Sequence, residues 1–274
     1  MTINCKGNLI DLLSPKVMGI LNITPDSFYD GGHFKNETAI LNHVESMLNQ
    51  GASFIDIGAY SSRPNADFVS ESIELQRILP IIETVLKHFP KALISIDTFR
   101  SAVAKQCIEA GAALVNDISA GKLDKNMLQT VANLHVPYIM MHMEGTPQTM
   151  QQHTNYSNLT KDILFYFSER IALAKSLGIV DIVIDPGFGF AKNLEQNYEL
   201  LNHLELFKMI EKPILVGVSR KSMIYKTLET TANEALNGTT VLNTIALQKG
   251  ASILRVHDVK EAMETVKLVE SLNI

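Results

Sequence analysis

Three carboxylates, Asp56, Asp97 and Asp185, each stand at or near the end of a short and otherwise apolar run, and Asn116 stands near the end of a fourth. A carboxylate so placed is costly to bury unless it accepts strong hydrogen bonds, and the edge of a heterocycle rich in N–H donors supplies them. Asn116 adds both a donor and an acceptor. Capping of the following helix explains any one of these Asp residues but accounts poorly for the set. Coordination of a hard cation stays open, because chain spacing does not show whether the oxygens share one shell. In RVHDV, Arg255 and His257 alternate, so an extended strand points both to the same side. That pair suits a phosphate clamp, with a guanidinium fork and an imidazole donor; a His held by Asp258 in a barrel wall is the plainer alternative. GVSRKSM brings Ser219, Arg220 and Lys221 to the end of another apolar run.

Loops supply the rest of the polar chemistry. Asn22 closes VMGILN and enters a segment with Pro25, Asp26, Gly31 and Gly32. Such a segment can act as a lid, with Phe28 or Tyr29 over a substrate, or serve as an ordinary turn in which Asp26 caps a short helix. DIGAYSSRP offers Ser61, Ser62 and Arg63 to an anion, stiffened by Pro64, and reads equally as a solvated loop. In DPGFGFAKN, Gly187 and Gly189 allow close backbone approach and Phe190 can stack on a flat ring. Neither this segment nor GVSRKSM has dinucleotide-fold or P-loop spacing, and no HExxH or CxxC pattern points to zinc.

These residues need a scaffold that gathers strand ends. Apolar runs recur at 17–22, 54–58, 93–97, 114–118, 138–143, 182–186, 214–218 and 253–257, and between them apolar residues follow three- and four-residue spacing. Eight βα units predict an α/β fold of the (β/α)8 TIM-barrel type, with an open doubly wound sheet as the alternative. NCKGNLIDLL is expected to form a short hairpin ahead of the first barrel strand. The polar residues then lie at the C-terminal ends of the strands, the catalytic face of such barrels.

The runs occupy nearly all 274 residues, so 1–274 is expected to form a single domain. A net charge of -5 without basic blocks argues against nucleic acid as partner, and no apolar run approaches the ~20 residues of a membrane span. Cys5 and Cys107 are expected to be reduced thiols in a cytoplasmic protein.

GILNITPDSFYDGG, SSRP, SIDTFR, NDISA, MHMEGTP, DPGFGFAKN, SRKSM and RVHDV, in this order from residue 17 to 259, together resemble the dihydropteroate synthase family. The resemblance implies a barrel with pterin in its mouth, usually dimeric, and a transferase of folate biosynthesis. That reaction joins 6-hydroxymethyl-7,8-dihydropterin pyrophosphate to p-aminobenzoate with Mg2+, giving 7,8-dihydropteroate and pyrophosphate. By position, Asp56, Asp97, Asn116, Ile118, Met140, Asp185, Phe190, Gly217 and Lys221 correspond to the pterin pocket. Asn22, Ser62, Arg63, Arg255 and His257 correspond to pyrophosphate contacts, with Asn22 also linked to magnesium.

Phe28, Arg63, Pro64, Phe190, Ser219 and Lys221 correspond to the p-aminobenzoate slot, which sulfonamide-like competitors share. Asn22, Asp97, Lys221, Arg255 and His257 are the residues expected to carry catalysis, with no enzyme nucleophile. The family's S-T-R-P-G reads Ser61-Ser62-Arg63-Pro64-Asn65 here, preceded by Ala59-Tyr60, a departure that bears on inhibitor binding more than on identity. Two alternatives stand beside this reading. One is a pterin-binding methyltransferase domain, which would have no pyrophosphate to clamp; the other is a pterin-binding paralogue without turnover.

Overall fold

The computed structural model describes residues 1–23, 33–60 and 69–272. The chain opens with the expected antiparallel hairpin of β1 (Thr2–Cys5) and β2 (Asn8–Asp11), turned at Lys6 and Gly7, both with positive φ. Two such residues match a primed turn, whose twist suits the flanking strands.

Eight parallel strands follow: β3 (Lys16–Asn22), β4 (Phe54–Gly58), β5 (Ile94–Asp97), β6 (Leu114–Asp117), β7 (Tyr138–Met141), β8 (Ile182–Asp185), β9 (Leu215–Val216) and β10 (Ile253–Val256). Their order is β8-β7-β6-β5-β4-β3-β10-β9. The ends of that series meet through a parallel bridge between Ile184 and Ile214 and the bond from Ile184 N to Pro213 O at 2.9 Å. The architecture is therefore the TIM barrel, not an open sheet. The helices are α1 (His33–Asn49), α2 (Glu71–His88), α3 (Ser101–Glu109), α4 (Met127–Leu134), α5 (Leu159–Ser176), α6 (Leu194–Asn202), α7 (Ser222–Thr227), α8 (Leu236–Gln248) and α9 (Val259–Glu270). Several apolar runs extend one or two residues past the strand they contain. Ile118, His142, Gly217 and His257 thus sit where the backbone leaves the ladder and turns into a loop.

Alternation along the strands builds two cores. Val17, Ile55, Ile57, Ile94, Ile96, Val115, Ile184, Val216 and Leu254 pack outward against the helices. Met18, Phe54, Leu114, Ile139, Val183, Leu215 and Ile253 point inward and form a buried layer with Ile3, Cys5 and Leu12, so the hairpin plugs the end of the barrel away from the catalytic face. Buried Cys5 and Cys107 are both free thiols, pushed up to about 12 chiefly by burial. Among the described residues no helix is long and apolar enough to cross a membrane.

Helix α2 shows how local sequence and packing cooperate. Ser70 caps it by accepting from Ile73 N, acidic residues fill its first turn, and Ile78, Ile82 and Val85 bury one face. On that buried side Glu74 pairs with Arg100 and accepts from Thr98 Oγ1 at 2.7 Å, while Arg100 also donates to Val69 O. The guanidinium lies 5.3 Å over the Tyr60 ring and 5.2 Å over Phe99. Removing one member of a buried pair strands the other charge, so Arg100→Met is expected to lower unfolding free energy by about 3–5 kcal/mol. Urea titration checks this; a loss below about 1 kcal/mol would assign Glu74 a better-solvated environment than its burial indicates.

Candidate active site

Above the inward apolar layer, the same alternation delivers polar side chains. Asp56 follows Phe54 by two residues, Asn116 follows Leu114, Asp185 follows Val183 and Arg255 follows Ile253. Four strands therefore present their polar residue one layer higher, into the mouth of the barrel. Asp56 is fully buried, and Asn116 and Asp185 nearly so.

Arg255 organises this floor. Its Nε donates to Asp56 Oδ2 at 2.6 Å and its Nη2 to Asp97 Oδ2 at 2.7 Å. Asn116 Nδ2 donates to the same Asp56 oxygen at 3.1 Å. Asp56 Oδ1 is buried without a hydrogen-bond partner among the described residues, a costly state that a ligand donor relieves. The Arg255 Nη1 group has no partner among the described residues. The carboxylates hold the Arg255 guanidinium above its usual range against the cost of burial. Burial pushes Asp97 up to about 7; Arg255 opposes this, whereas Asp56, Glu74 and Asp117 reinforce it. Asp185 is likewise raised by burial, with Lys221 the main opposition.

On the other side, Lys221 precedes α7 and its ammonium donates to Phe188 O and lies 4.7 Å over the Phe190 ring. Burial lowers it to about 8, against the pull of Asp185. Asp185 accepts from Gly187 N at 2.8 Å, which starts the tight loop carrying Phe190. Ser219 Oγ and His257 Nδ1 lie 3.0 Å apart, joining the ends of the β9 and β10 segments. Arg220 turns away, donating to both Asp258 oxygens at 2.8 Å and to the carbonyls of Ala232 and Asn233. This assigns Arg220 a structural ion pair and leaves Asp258 engaged with it.

Most residues singled out from the sequence can be located. Asp56, Asp97, Asn116, Asp185, Gly217, Lys221 and Arg255 converge on the mouth, and a Cβ on Gly217 would stand 3.8 Å from that of Arg255. Ile118 and Phe190 join a small apolar cluster beside it with Met141 and Met143. Half-buried Asn22 ends β3 opposite Gly58.

Met140 is a correction. The β6–β7 register sets it beside Asp117, and it packs in the helix-facing core, so it does not line the mouth; Met141, one residue later, takes that side. Arg255 needs a second revision, since in this structure its Nε and one Nη2 hydrogen grip two carboxylates, leaving Nη1 and the second Nη2 hydrogen without a partner among the described residues and open to a phosphate. Phe28, Ser62, Arg63 and Pro64 lie outside the described residues.

Sequence reasoning passed over Lys192. It is almost wholly buried, with its ammonium on His142 Nδ1 at 3.0 Å and on the carbonyls of Gly187 and Phe190 at 2.9 Å. The available signal was a lysine at the end of a glycine-rich loop followed by the capping residue Asn193, a place where solvent exposure is the ordinary expectation.

A closed (β/α)8 barrel whose mouth combines buried carboxylates with two half-buried cations is a barrel enzyme built to bind a donor-rich heterocycle and an anion together. Residues 18–257 match the family model for pterin binding enzymes. The dihydropteroate synthase of Escherichia coli (strain K12) is 41% identical over 273 residues, spanning 99% of this chain and 96% of that protein. A Yersinia pestis dihydropteroate synthase, solved with a sulfonamide drug, superposes with a TM-score of 0.93 at 42% identity, covering 100% of this chain and 99% of the other. A Xanthomonas albilineans dihydropteroate synthase with 4-aminobenzoic acid gives 0.92 at 34% identity, covering 99% and 98%. The chain belongs to the pterin-binding enzyme family and, within it, to the dihydropteroate synthases.

Proposed function

We propose that the barrel mouth binds 6-hydroxymethyl-7,8-dihydropterin pyrophosphate over Asp56, Asp97, Asn116 and Asp185 and joins its methylene carbon to the amine of p-aminobenzoate. The product is 7,8-dihydropteroate, a step of folate biosynthesis. The observation that carries the residue assignment is the acceptor-rich floor, in which a buried Asp56 oxygen lacks a donor among the described residues.

In this reading the floor orients the ring, while Phe190 and Lys221 stand at its edge. Arg255 Nη1 and His257 face the departing pyrophosphate and stabilise its charge as the C–O bond breaks. The three carboxylates favour positive charge developing at the methylene carbon. The arylamine nitrogen forms the new C–N bond and then gives up a proton, so neither a side-chain nucleophile nor a covalent enzyme intermediate is required. Ser219, Lys221 and Phe190 border the p-aminobenzoate slot, with Phe28, Arg63 and Pro64 completing it, and Ser62 and Arg63 join the pyrophosphate contacts.

Mg2+ belongs to the proposal with Asn22 as its protein ligand. The Asn22 amide makes no side-chain hydrogen bond to a described residue, and no group of three or more His, Cys, Asp or Glu there is arranged to hold a metal. One hard amide oxygen suits an ion carried mainly by water and substrate phosphates. Bound there, the ion would neutralise charge on the pyrophosphate.

A cytoplasmic homodimer completes the reading. Two buried thiols favour a reducing compartment, and exposed Val241 and Leu268, on the packed helices α8 and α9, offer apolar surface to a second copy.

The test of function is release of pyrophosphate and formation of dihydropteroate with Mg2+ and both substrates. Folded protein that binds the dihydropterin yet forms no product at saturation would leave the paralogue without turnover as the answer. His257→Ala is expected to weaken binding of the pterin pyrophosphate about tenfold while leaving the pyrophosphate-free alcohol within about twofold. Equal losses for the two ligands in calorimetry would remove His257 from the pyrophosphate site.

A further inference from the structure

Between β8 and α6 the segment 187–191 passes between buried Lys192 and half-buried Lys221. In front, Lys221 holds the Phe188 carbonyl and stands over the Phe190 ring. Behind, the three N–H bonds of Lys192 go to Gly187 O, Phe190 O and His142 Nδ1, so one ammonium ties both ends of the turn to the end of β7. Asn197 accepts from Gly189 N at 2.6 Å, and Tyr156 donates to Ala191 O at 2.8 Å. The turn has no slack against β7. Gly187 has a φ of 76°, and a Cβ there would collide with the His142 carbonyl oxygen.

We propose that Lys192 is a positioning residue for the reaction: from behind the turn its ammonium fixes where Phe190 and the Phe188 carbonyl sit, and through them where Lys221 is held in the mouth. The proposal rests on the pterin reading of that mouth. A purely space-filling role would leave the function of the turn insensitive to the lysine's charge.

The surroundings make that charge titratable near neutrality. Burial lowers Lys192 to about 7, opposed by Asp185 at the end of β8 and Glu144 beyond β7 and reinforced by Lys221. His142 is held well below its ordinary range by burial and by Lys192 and Lys122, so its ring is neutral and Nδ1 is free to accept. As pH rises through the Lys192 value the amine keeps only two N–H bonds for three acceptors, and the turn loosens.

The experiment uses the intact protein with the alcohol 6-hydroxymethyl-7,8-dihydropterin as ligand, its affinity measured by calorimetry from about pH 6 to about pH 9. Lys192→Met, which keeps length but not charge, is expected to bind about tenfold more weakly than wild type at the acid end. That deficit should shrink to about twofold at the alkaline end, where the wild-type lysine has itself lost its proton. Lys192→Arg, which retains the cation, should recover at least part of the acid-end affinity. Steady-state kinetics should show the Lys192→Met defect mainly in KM for the pterin substrate, with kcat within about threefold.

A deficit of the same size across the pH range, or none, overturns the proposal. Should Lys192→Met fail to fold, His142→Phe removes one acceptor at similar ring volume. It should weaken acid-end binding about threefold, and unchanged affinity would count against the clamp. Wild-type protein that binds no dihydropterin at any pH would overturn the pterin reading itself, and the inference with it.

Discussion

Arg255→Met is expected to abolish measurable synthesis and to lower unfolding free energy by about 3–5 kcal/mol. Its fork spans Asp56 and Asp97, and Asp56 is fully buried. With Arg255 gone, Lys221 is left to face Asp97 and Asp185 while Asp56 loses its cation, and the carboxylates relieve the excess by taking up a proton. Asp97, already pushed up to about 7, should rise further. Below about pH 7 it is protonated in both folded proteins and adds nothing to their difference; above that it is ionised only in wild type. Past that point the wild type stops losing stability to Asp97 ionisation while the variant, with its higher Asp97 value, goes on losing it, so the variant's deficit should widen as pH rises through neutrality.

Urea titrations at about pH 6 and pH 8, with calorimetry of the dihydropterin alcohol, check both effects. A deficit below about 1 kcal/mol at both pH values would mean the guanidinium does not bear on the buried carboxylates as the structure places it.

Asp185→Asn should cut affinity for the dihydropterin about 10- to 10²-fold with little change in fold. The amide oxygen can still accept from Gly187 N, which preserves the start of the turn. Its NH2 group, however, presents donors where the ligand also has donors, and a buried donor without an acceptor costs about 1–3 kcal/mol. A second consequence separates this from simple loss of a contact. Asp185 is the leading influence that keeps Lys221 protonated against its burial, holding it near about 8. Without that charge the ammonium loses its proton at lower pH, so the alkaline limb of the binding profile should move toward neutrality. An unshifted limb, or a loss under about tenfold, would show that Asp185 neither holds the ring nor supports Lys221.

Much of this site can be read along the chain because its pieces are local. Asp56, Asn116 and Asp185 each follow an inward apolar residue by two positions, and strand alternation alone puts both on one side. The hairpin is similarly local, since Lys6-Gly7 between two short apolar strands specifies a turn. Met140 shows where locality ends. Asn116 and Met140 sit on neighbouring strands, and a shift of one residue in their register exchanges the faces they present.

Apolar periodicity and the polar residues that close each run were enough to specify eight βα units and the end of the barrel that carries the chemistry, because burial preference acts residue by residue along a strand. Tertiary structure alone decided the partners. Arg255 meets Asp56 and Asp97 across 199 and 158 residues of chain, and Lys192 meets His142 across 50. Coulomb energy and hydrogen bonding depend on separation through space, and closing the barrel is what brings those groups within 3 Å or less of one another.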